Sequence, residues 1–444
     1  MTFFTSGAGS EPLTRGAVLA TAVARFSLKK AMQPDPHELL RYALKACRDG
    51  KLAAADIATR CSLDLEPDNV AAVHLLGIIA ARVGAREAAI SYLQQALALE
   101  PGNDRIRDNL RAAQAFAPPP LPPGNRYLLI KSWGAGFWAD VSQVIGSLLL
   151  AEATGRIPVT YWGADSLFSD KSGRDAFTFY FEPLSSIAFE VLTQITPASF
   201  FPPRWHRDNL IRSGMEKWEG KGSRAGAVHF LNRPETIAVS DFMIGVVDVE
   251  PWLPSSHPFH GKPALEIYRH LATRYLRPRA DILAQRDRFL ERHIGNRPFV
   301  AVHMRGSDKA IEDPDLDRTN VLLAEALETV DPSWPILLLT DDARCLARMK
   351  TRYGARLFAT ECQRTSTGEG LHYLPGTDPV RAGREVLVDA CLALKAQRFL
   401  GNGRSNVSAM IQVMKDWEPG NCTLIGRSML LERNLHVHQI PITA

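Results

Sequence analysis

Between positions 303 and 309 the chain gathers His303, Arg305, Ser307, Asp308 and Lys309. A guanidinium is a planar, two-pronged donor that matches phosphate or carboxylate oxygens, and a nearby ammonium adds charge. Such a set suits anion binding. It follows Phe299-Val300-Ala301-Val302, a short apolar run rich in β-branched residues, the pattern of a strand buried on both faces. Ligands of open α/β sheets sit just beyond the carboxyl ends of strands. A strand entering a solvated turn can look the same, and a second segment decides between the two. Leu400-Gly401-Asn402-Gly403-Arg404-Ser405-Asn406-Val407 also has the form strand, glycine turn, helix start, and a helix start offers N–H groups to an anion.

Other residue groups carry weaker chemistry. Gly134-Ala135-Gly136 lies between a strand (126–131) and a helical stretch (141–154), with a return strand at 155–161. This is a βαβ unit whose glycine turn could touch a ligand, although no third glycine completes a dinucleotide fingerprint. Asp341-Asp342 opens a helix, where an acidic N-cap pair suits the positive helix end. Asp389 stands on the otherwise apolar face of a helix expected over 384–396. Asp313-Pro314-Asp315-Leu316-Asp317 has the Asp-x-Asp spacing of metal-dependent transferases. It lies in a proline-containing loop, lacks the glycine and terminal glutamate of a calcium loop, and gives no expected metal site.

The elements that must position these groups alternate. Helical patterns at 264–276 and 280–293 precede the central strand, and a helix (319–330), a strand (336–340) and a further helix follow. The 384–396 helix and the 398–401 strand complete the pattern, which implies parallel sheets covered on both faces. Residues 163–262, with many aromatics and prolines, are read as the rest of the first such domain and its loops.

The preceding region is of another kind. Glu66-Pro67-Asp68-Asn69 recurs as Glu100-Pro101-Gly102-Asn103, a shift of 34 residues. Leu76-Gly77, Ala80, Ala89, Leu93 and Ala96 occupy the small and large positions of a tetratricopeptide repeat, and Tyr42-Ala43, Ala46 and Ala55 occupy them more loosely one period earlier. Asp104–Phe116 supplies a polar-faced cap. Residues 118–124, Pro-Pro-Pro-Leu-Pro-Pro-Gly, cannot continue a helix and favour an extended spacer that isolates the repeats. The expected organisation is a tail and capping helix (1–35), repeats (36–117), a linker (118–125), and two α/β domains (126–277 and 278–444).

Composition bounds the partners. The 444 residues are 45% hydrophobic, enough for two or three sizeable cores, and carry 52 basic and 48 acidic residues for a net charge of +4. That balance argues against a nucleic-acid coat. The six cysteines are scattered without a C-x-x-C pair. This spacing fits reduced thiols in a cytoplasm better than a disulfide frame or a zinc site. The apolar stretch 16–22 is too short to span a membrane.

His303-Met304-Arg305-Gly306-Ser307-Asp308-Lys309 resembles the His-x-Arg-Arg-x-Asp-Lys motif of the α-1,6- and protein O-fucosyltransferase superfamily, which includes the rhizobial chitin-oligosaccharide fucosyltransferases. The resemblance runs in order through the turn 134–136, Leu150-Ala151 with Thr154-Gly155-Arg156, Tyr275-Leu276-Arg277-Pro278, Thr340-Asp341-Asp342, Glu385 to Asp389, and Ser405-Asn406-Val407. It covers residues 126 to about 420. It implies two facing Rossmann-like domains in the GT-B arrangement, the first on the acceptor side and the second holding a nucleotide-sugar donor. The implied reaction is inverting, metal-independent transfer of fucose from GDP-fucose to a glycan or protein hydroxyl. Arg305 then holds the pyrophosphate and His303 lines its pocket. Asp389 and Ser405–Val407 fall at the nucleotide and β-phosphate positions, and Gly134 and Gly136 are expected among the donor-binding residues. Lys309, Glu312 and Asp313 lie near the reacting centre, where a carboxylate must take the acceptor's proton.

One departure matters: the motif's second arginine is Gly306 here. Arg404, before Ser405, is the expected replacement cation. That substitution leaves open a transferase of another nucleotide sugar. A repeat-bearing binding protein without catalysis is the alternative from another class, and the repeats offer a surface for a partner chain in either case.

Overall fold

The computed structural model describes residues 35–211, 224–306, 315–366, 376–435 and 437–440. The expected tail and capping helix lie outside this range, apart from Asp35. Five helices come first: α1 (Pro36–Arg48), α2 (Leu52–Leu65), α3 (Val70–Arg82), α4 (Arg86–Leu99) and α5 (Asp104–Ala115). Starts at 36, 70 and 104, and at 52 and 86, repeat the 34-residue step of the sequence. The repeated Glu-Pro-x-Asn segment explains the punctuation. Glu66 and Glu100 end α2 and α4, and the Asn69 and Asn103 side chains accept from the Ala72 and Ile106 amides as N-caps. Ala43, Ala55, Ala89 and Ala96 are fully buried where the helices nest.

Residues 118–125 form neither helix nor strand, as five prolines require. The linker nevertheless does not isolate the helices in space. Val228, Leu231, Trp252 and Ile440 share one apolar core with α1–α5. The Trp252 indole donates to Asp56 Oδ2 (3.1 Å), and the Arg60 guanidinium lies 4.8 Å from the Trp252 ring centroid while pairing with Asp56 at 2.7 Å. The cause is visible in α2, where Ala53, Ala54, Ile57 and Ala58 bury more apolar surface than a helix facing water could.

The first sheet holds β1 (Tyr127–Lys131), β2 (Ile157–Tyr161), β3 (Phe200–Phe201) and β4 (Ile237–Ser240), all parallel in the order β2-β1-β4-β3. Helix α6 (Phe137–Thr154) connects β1 to β2 and begins before the expected position 141. Its first residues are held by rings rather than by an aliphatic pattern: Phe137 packs edge-on to Trp138 (5.2 Å) and Tyr180 (5.0 Å). Among the described residues of 163–262, much is turn, short 3-10 helix and short α-helix around such rings, which is why alternation and periodicity say little there.

Helices α7 (Ala264–Tyr275) and α8 (Ala280–His293) lead to the second sheet. Its elements are β5 (Val300–His303), α9 (Leu316–Leu327), β6 (Ile336–Leu339), α10 (Ala343–Tyr353), β7 (Leu357–Phe358), α11 (Pro379–Ala393), β8 (Arg398–Asn402), α12 (Asn406–Val413) and β9 (Cys422–Ile425). All strands are parallel, in the order β7-β6-β5-β8-β9. Helix α11 begins at Pro379 rather than near 384 because Asp378 caps it and proline suits the first helical position.

One buried cluster runs from Leu128 and Ile130 of the first sheet, through Ile145, Leu271 and Met410, to Ala301 and Phe399 of the second. After β9 the chain returns to the N-terminal region. Arg433 pairs with Asp64 at 2.7 Å, the His438 ring packs 5.4 Å from Phe242, and Ile440 enters the core of the helical array. All six cysteines are free thiols. Among the described residues no helix is long and apolar enough to cross a membrane.

Candidate functional site

Strand order decides which loops meet. From β5 the chain continues to β6 and β7 on one side, and β8 and β9 lie on the other. β5 and β8 therefore flank the switch point at which parallel sheets admit ligands. Their register, Val300↔Arg398 through Val302↔Leu400, brings the carboxyl ends of the two segments side by side.

His303 is buried on β5, with Nδ1 2.7 Å from Ser408 Oγ on α12. The same hydroxyl accepts the Asn402 amide (3.1 Å), so one serine ties the end of β5 to the turn after β8. Burial, reinforced by the adjacent Arg305 charge, holds His303 down to about 3. It is a neutral hydrogen-bonding wall near pH 7.

Arg305 is about three-quarters buried and pairs with Asp341 Oδ2 at 2.6 Å. The other carboxylate oxygen of Asp341 accepts the Gly306 amide (3.1 Å), and Asn320 Nδ2 donates to the Arg305 carbonyl (2.9 Å). This corrects the reading of Asp341-Asp342 as an N-cap pair. Only Asp342 caps α10, accepting from the Arg344 and Cys345 amides at 2.7 and 3.2 Å, while Asp341 turns back to Arg305. A Cβ at Gly306 would meet Asp342 Cβ at 2.4 Å, so the absence of a second arginine is a packing requirement of this turn.

On the β8 side Ser405 is buried and is the N-cap of α12, without a side-chain cap bond. The amides of Asn406 and Val407 stand at the helix start, where no intrahelical partner exists. A Cβ at Gly403 would lie 2.6 Å from the Gly426 and Arg427 carbonyl oxygens. The turn thus demands glycine for close approach. Arg404 is exposed, and its amide donates to Asn402 Oδ1 (2.8 Å).

Asp389 is buried on α11. Burial pushes its carboxyl up to about 6, although Thr360 Oγ1 donates to it at 2.6 Å. The segment around Thr360 connects it to the switch point. Arg364 Nε donates to the Thr340 carbonyl (3.2 Å), and the Thr365 amide donates to the Asp341 carbonyl (2.9 Å). Glu385, one turn earlier on α11, accepts the Gln363 amide (2.9 Å).

Gly134 and Gly136 belong to the first sheet, and their turn is engaged by its own residues. The Gly134 amide donates to Ser132 Oγ (3.0 Å) and the Ala135 amide to Asp140 Oδ1 (3.3 Å). The buried Asp140 carboxylate is one an anion would have to face, and Gly136 is simply the N-cap of α6. This geometry does not offer the Gly134 amide to a phosphate. Lys309, Glu312 and Asp313, with Ser307 and Asp308, lie outside the described residues. Asp315 and Asp317 fall at the start of α9. Among the described residues no group of three His, Cys, Asp or Glu side chains could hold a metal ion.

Of the expected residues, His303, Arg305, Arg404, Ser405, Asn406 and Val407 are brought to one switch point, and Asp389 is linked to it through residues 360–365. Asp341, Ser408 and Thr360 escaped the sequence reading as partners. For Asp341 a signal existed, because a carboxylate just past β6 must neighbour whatever follows β5.

No family model matches the chain, and no curated protein does. Several solved structures are similar to it. The fucosyltransferase NodZ from Bradyrhizobium is 17% identical with a TM-score of 0.44, over 65% of this chain and 92% of that one. Arabidopsis thaliana FUT1, a variant in complex with GDP, is 12% identical with a TM-score of 0.43, over 78% and 80%. POFUT1 in complex with GDP-fucose is 15% identical with a TM-score of 0.40, over 70% and 99%.

Proposed function

We propose that the chain is a glycosyltransferase that moves a sugar from a nucleoside diphosphate to a glycan or protein hydroxyl, with fucose and GDP as the sugar and nucleotide. One observation carries this reading: Arg305 and the helix start at Ser405–Val407 flank the same switch point, joined through His303 and Ser408 at 2.7 Å. The motif order of the sequence supplies the identity of the donor.

In this reading the acceptor oxygen attacks the anomeric carbon while its proton passes to a carboxylate, for which Asp313 and Glu312 are the candidates. The bond to the diphosphate breaks with inversion. Negative charge grows on the departing oxygen, and Arg305, Arg404, Lys309 and the α12 amides meet it without a divalent ion. Neutral His303 donates or accepts a hydrogen bond in the same pocket. Asp389, poised near neutrality, is the group assigned to the nucleotide.

A second reading, a transferase of another nucleotide sugar, is favoured by Gly306. Its contact with Asp342 leaves no room for a second arginine, and Asp341 already balances Arg305.

A thermal-shift panel of GDP, UDP, ADP and CMP tests both readings. A ligand at a hundredfold excess over its dissociation constant stabilises the folded state by about 2.7 kcal/mol. For a chain of this size each kcal/mol moves the melting point by roughly 2–4 °C. GDP is expected to shift it most, and GDP-fucose to be slowly hydrolysed without acceptor. A preference for UDP selects the second reading. No shift with any nucleotide selects a repeat-bearing protein without catalysis.

A further inference from the structure

A cavity of about 420 Å3 lies where the loop at 170–179 meets α11 and the connector between α7 and α8. Arg174, Arg279 and Arg384 line it together with Phe179, Val380 and Asp170. None of these residues belongs to the switch-point site.

The three guanidinium groups have donor capacity to spare. Each carries five N–H groups. Arg174 gives Nε to Ser172 Oγ (3.1 Å) and one further N–H to Asp170 (2.5 Å). Arg384 donates to the Phe179 carbonyl (3.3 Å) and to Asp281, and Arg279 donates to the Thr178 carbonyl (3.5 Å). Asp170 pairs with Arg174, Asp281 pairs with Arg384 and, at 3.7 Å, with Arg279, and Asp378 Oδ1 accepts the Val380 and Arg381 amides. The scaffold beneath is fixed: the Arg279 amide donates to the Tyr180 carbonyl (3.0 Å), the Glu182 amide to the Arg277 carbonyl (2.9 Å), and Phe181 bridges to Pro278.

Size and wall chemistry narrow the ligand. The volume lies within the roughly 300–1,000 Å3 of small-molecule pockets, against about 30 Å3 for one water. An inorganic ion alone would leave most of it unfilled. Phe179 and Val380 present apolar surface, while the arginines ask for planar or tetrahedral oxygens. A pyranose bearing a carboxylate or sulfate has both an apolar C–H face and such an anion.

We propose that this cavity is a subsite for an acidic sugar residue of the acceptor glycan. The proposal rests on the glycosyl-transfer reading above, which it deepens by naming the class of acceptor.

The test is calorimetric titration of the full chain with a glucuronate-containing disaccharide, its neutral methyl ester, and a sulfated disaccharide. At least one acidic disaccharide is expected to bind about tenfold or more tighter than the methyl ester. Arg174→Gln, at an exposed position, is expected to weaken that binding by about tenfold, with Arg279→Gln as a second variant. Equal binding of the methyl ester overturns the proposal, as does wild-type affinity in both variants. Competitive displacement by GDP also overturns it, because the cavity would then hold the donor's diphosphate. Nucleotide thermal shifts on the same samples keep the two readings apart. A GDP shift without acidic-sugar binding overturns only the subsite. Acidic-sugar binding without any nucleotide shift keeps the cavity as an acidic-sugar site but overturns the transfer reading and, with it, the assignment of that sugar to an acceptor.

Discussion

Gly306 and Asp342 approach so closely that a Cβ on residue 306 would lie 2.4 Å from Asp342 Cβ and 2.8 Å from its Oδ2. The motif's missing arginine cannot be restored without moving the turn that also holds Asp341 against Arg305 at 2.6 Å. Gly306→Arg is therefore expected to weaken GDP binding rather than strengthen it. Both it and Gly306→Ala should destabilise the fold by about 1–3 kcal/mol, the usual cost of overpacking. Urea midpoints and GDP thermal shifts measure the two effects. A tighter GDP complex in a stable Gly306→Arg protein would show that the turn yields easily.

Arg305→Lys keeps the charge and loses the fork. Donor hydrolysis is expected to fall by at least about a hundredfold, the scale of removing one charge-stabilising donor from a reacting centre. The melting point should change little by comparison. Near-wild-type hydrolysis by the folded variant would remove Arg305 from the diphosphate site.

The buried carboxyl of Asp389 has a pH signature. Its value rises on folding from 3.8 to about 6, chiefly through burial, so the neutral form is favoured in the folded state. Its contribution to stability is fully present below the unfolded value and is lost as pH rises through the folded one. His303 has the opposite sign: its value falls from 6.5 to about 3, so its contribution is present above 6.5 and lost as pH falls. Asp389→Asn mimics the neutral carboxyl. Relative to wild type, it should gain stability between about pH 4 and about pH 7, and taking the difference cancels the titrations both proteins share. Urea midpoints at the two ends check it, and a difference that does not change with pH contradicts the assignment.

Trp252→Ala removes the indole donor to Asp56 and the ring that Arg60 covers, leaving a buried ion pair exposed on one side. A loss of about 3–5 kcal/mol is expected, as for other buried aromatic truncations. A chain beginning at Gly124 should aggregate, because Val228, Leu231 and Trp252 lose their apolar cover. Denaturation followed by tryptophan fluorescence and sedimentation of the shortened chain are the measurements. A monomeric shortened chain with intact nucleotide binding would show that the contact is dispensable.

Chelation is the simplest trial of the proposed chemistry. With Arg305, Arg404, Lys309 and a helix start meeting the diphosphate, EDTA should leave donor hydrolysis unchanged. Activity abolished by EDTA and restored by manganese would direct attention to the carboxylates at 313–317.

What the sequence made legible follows physical periodicity. Alternating apolar runs located β5, β6 and β8, and the two glycine-and-charge segments at their ends proved neighbours because parallel order places them so. The Glu-Pro-x-Asn repeat located the array because its glutamate ends one helix and its asparagine caps the next. The aromatic region between β2 and α7 stayed opaque, since ring packing such as Trp162 on Phe177 at 5.3 Å follows no period. Asp341 was misread for a related reason: an N-cap carboxylate and an arginine partner look the same until the neighbouring strand is known. The burial of α2 against residues 226–252 needed a contact between distant segments that no local pattern records.

Ile440 sits in the same apolar core as Leu39 and Ala43, although nearly the whole chain separates them. On a ribosome adding roughly 5–20 residues per second, the helices of residues 36–115 emerge long before the segment that completes their core, by some tens of seconds. During that interval their uncovered face is open to any passing hydrophobic surface. The nascent chain, rather than the finished protein, is then the state in which this molecule most needs a chaperone.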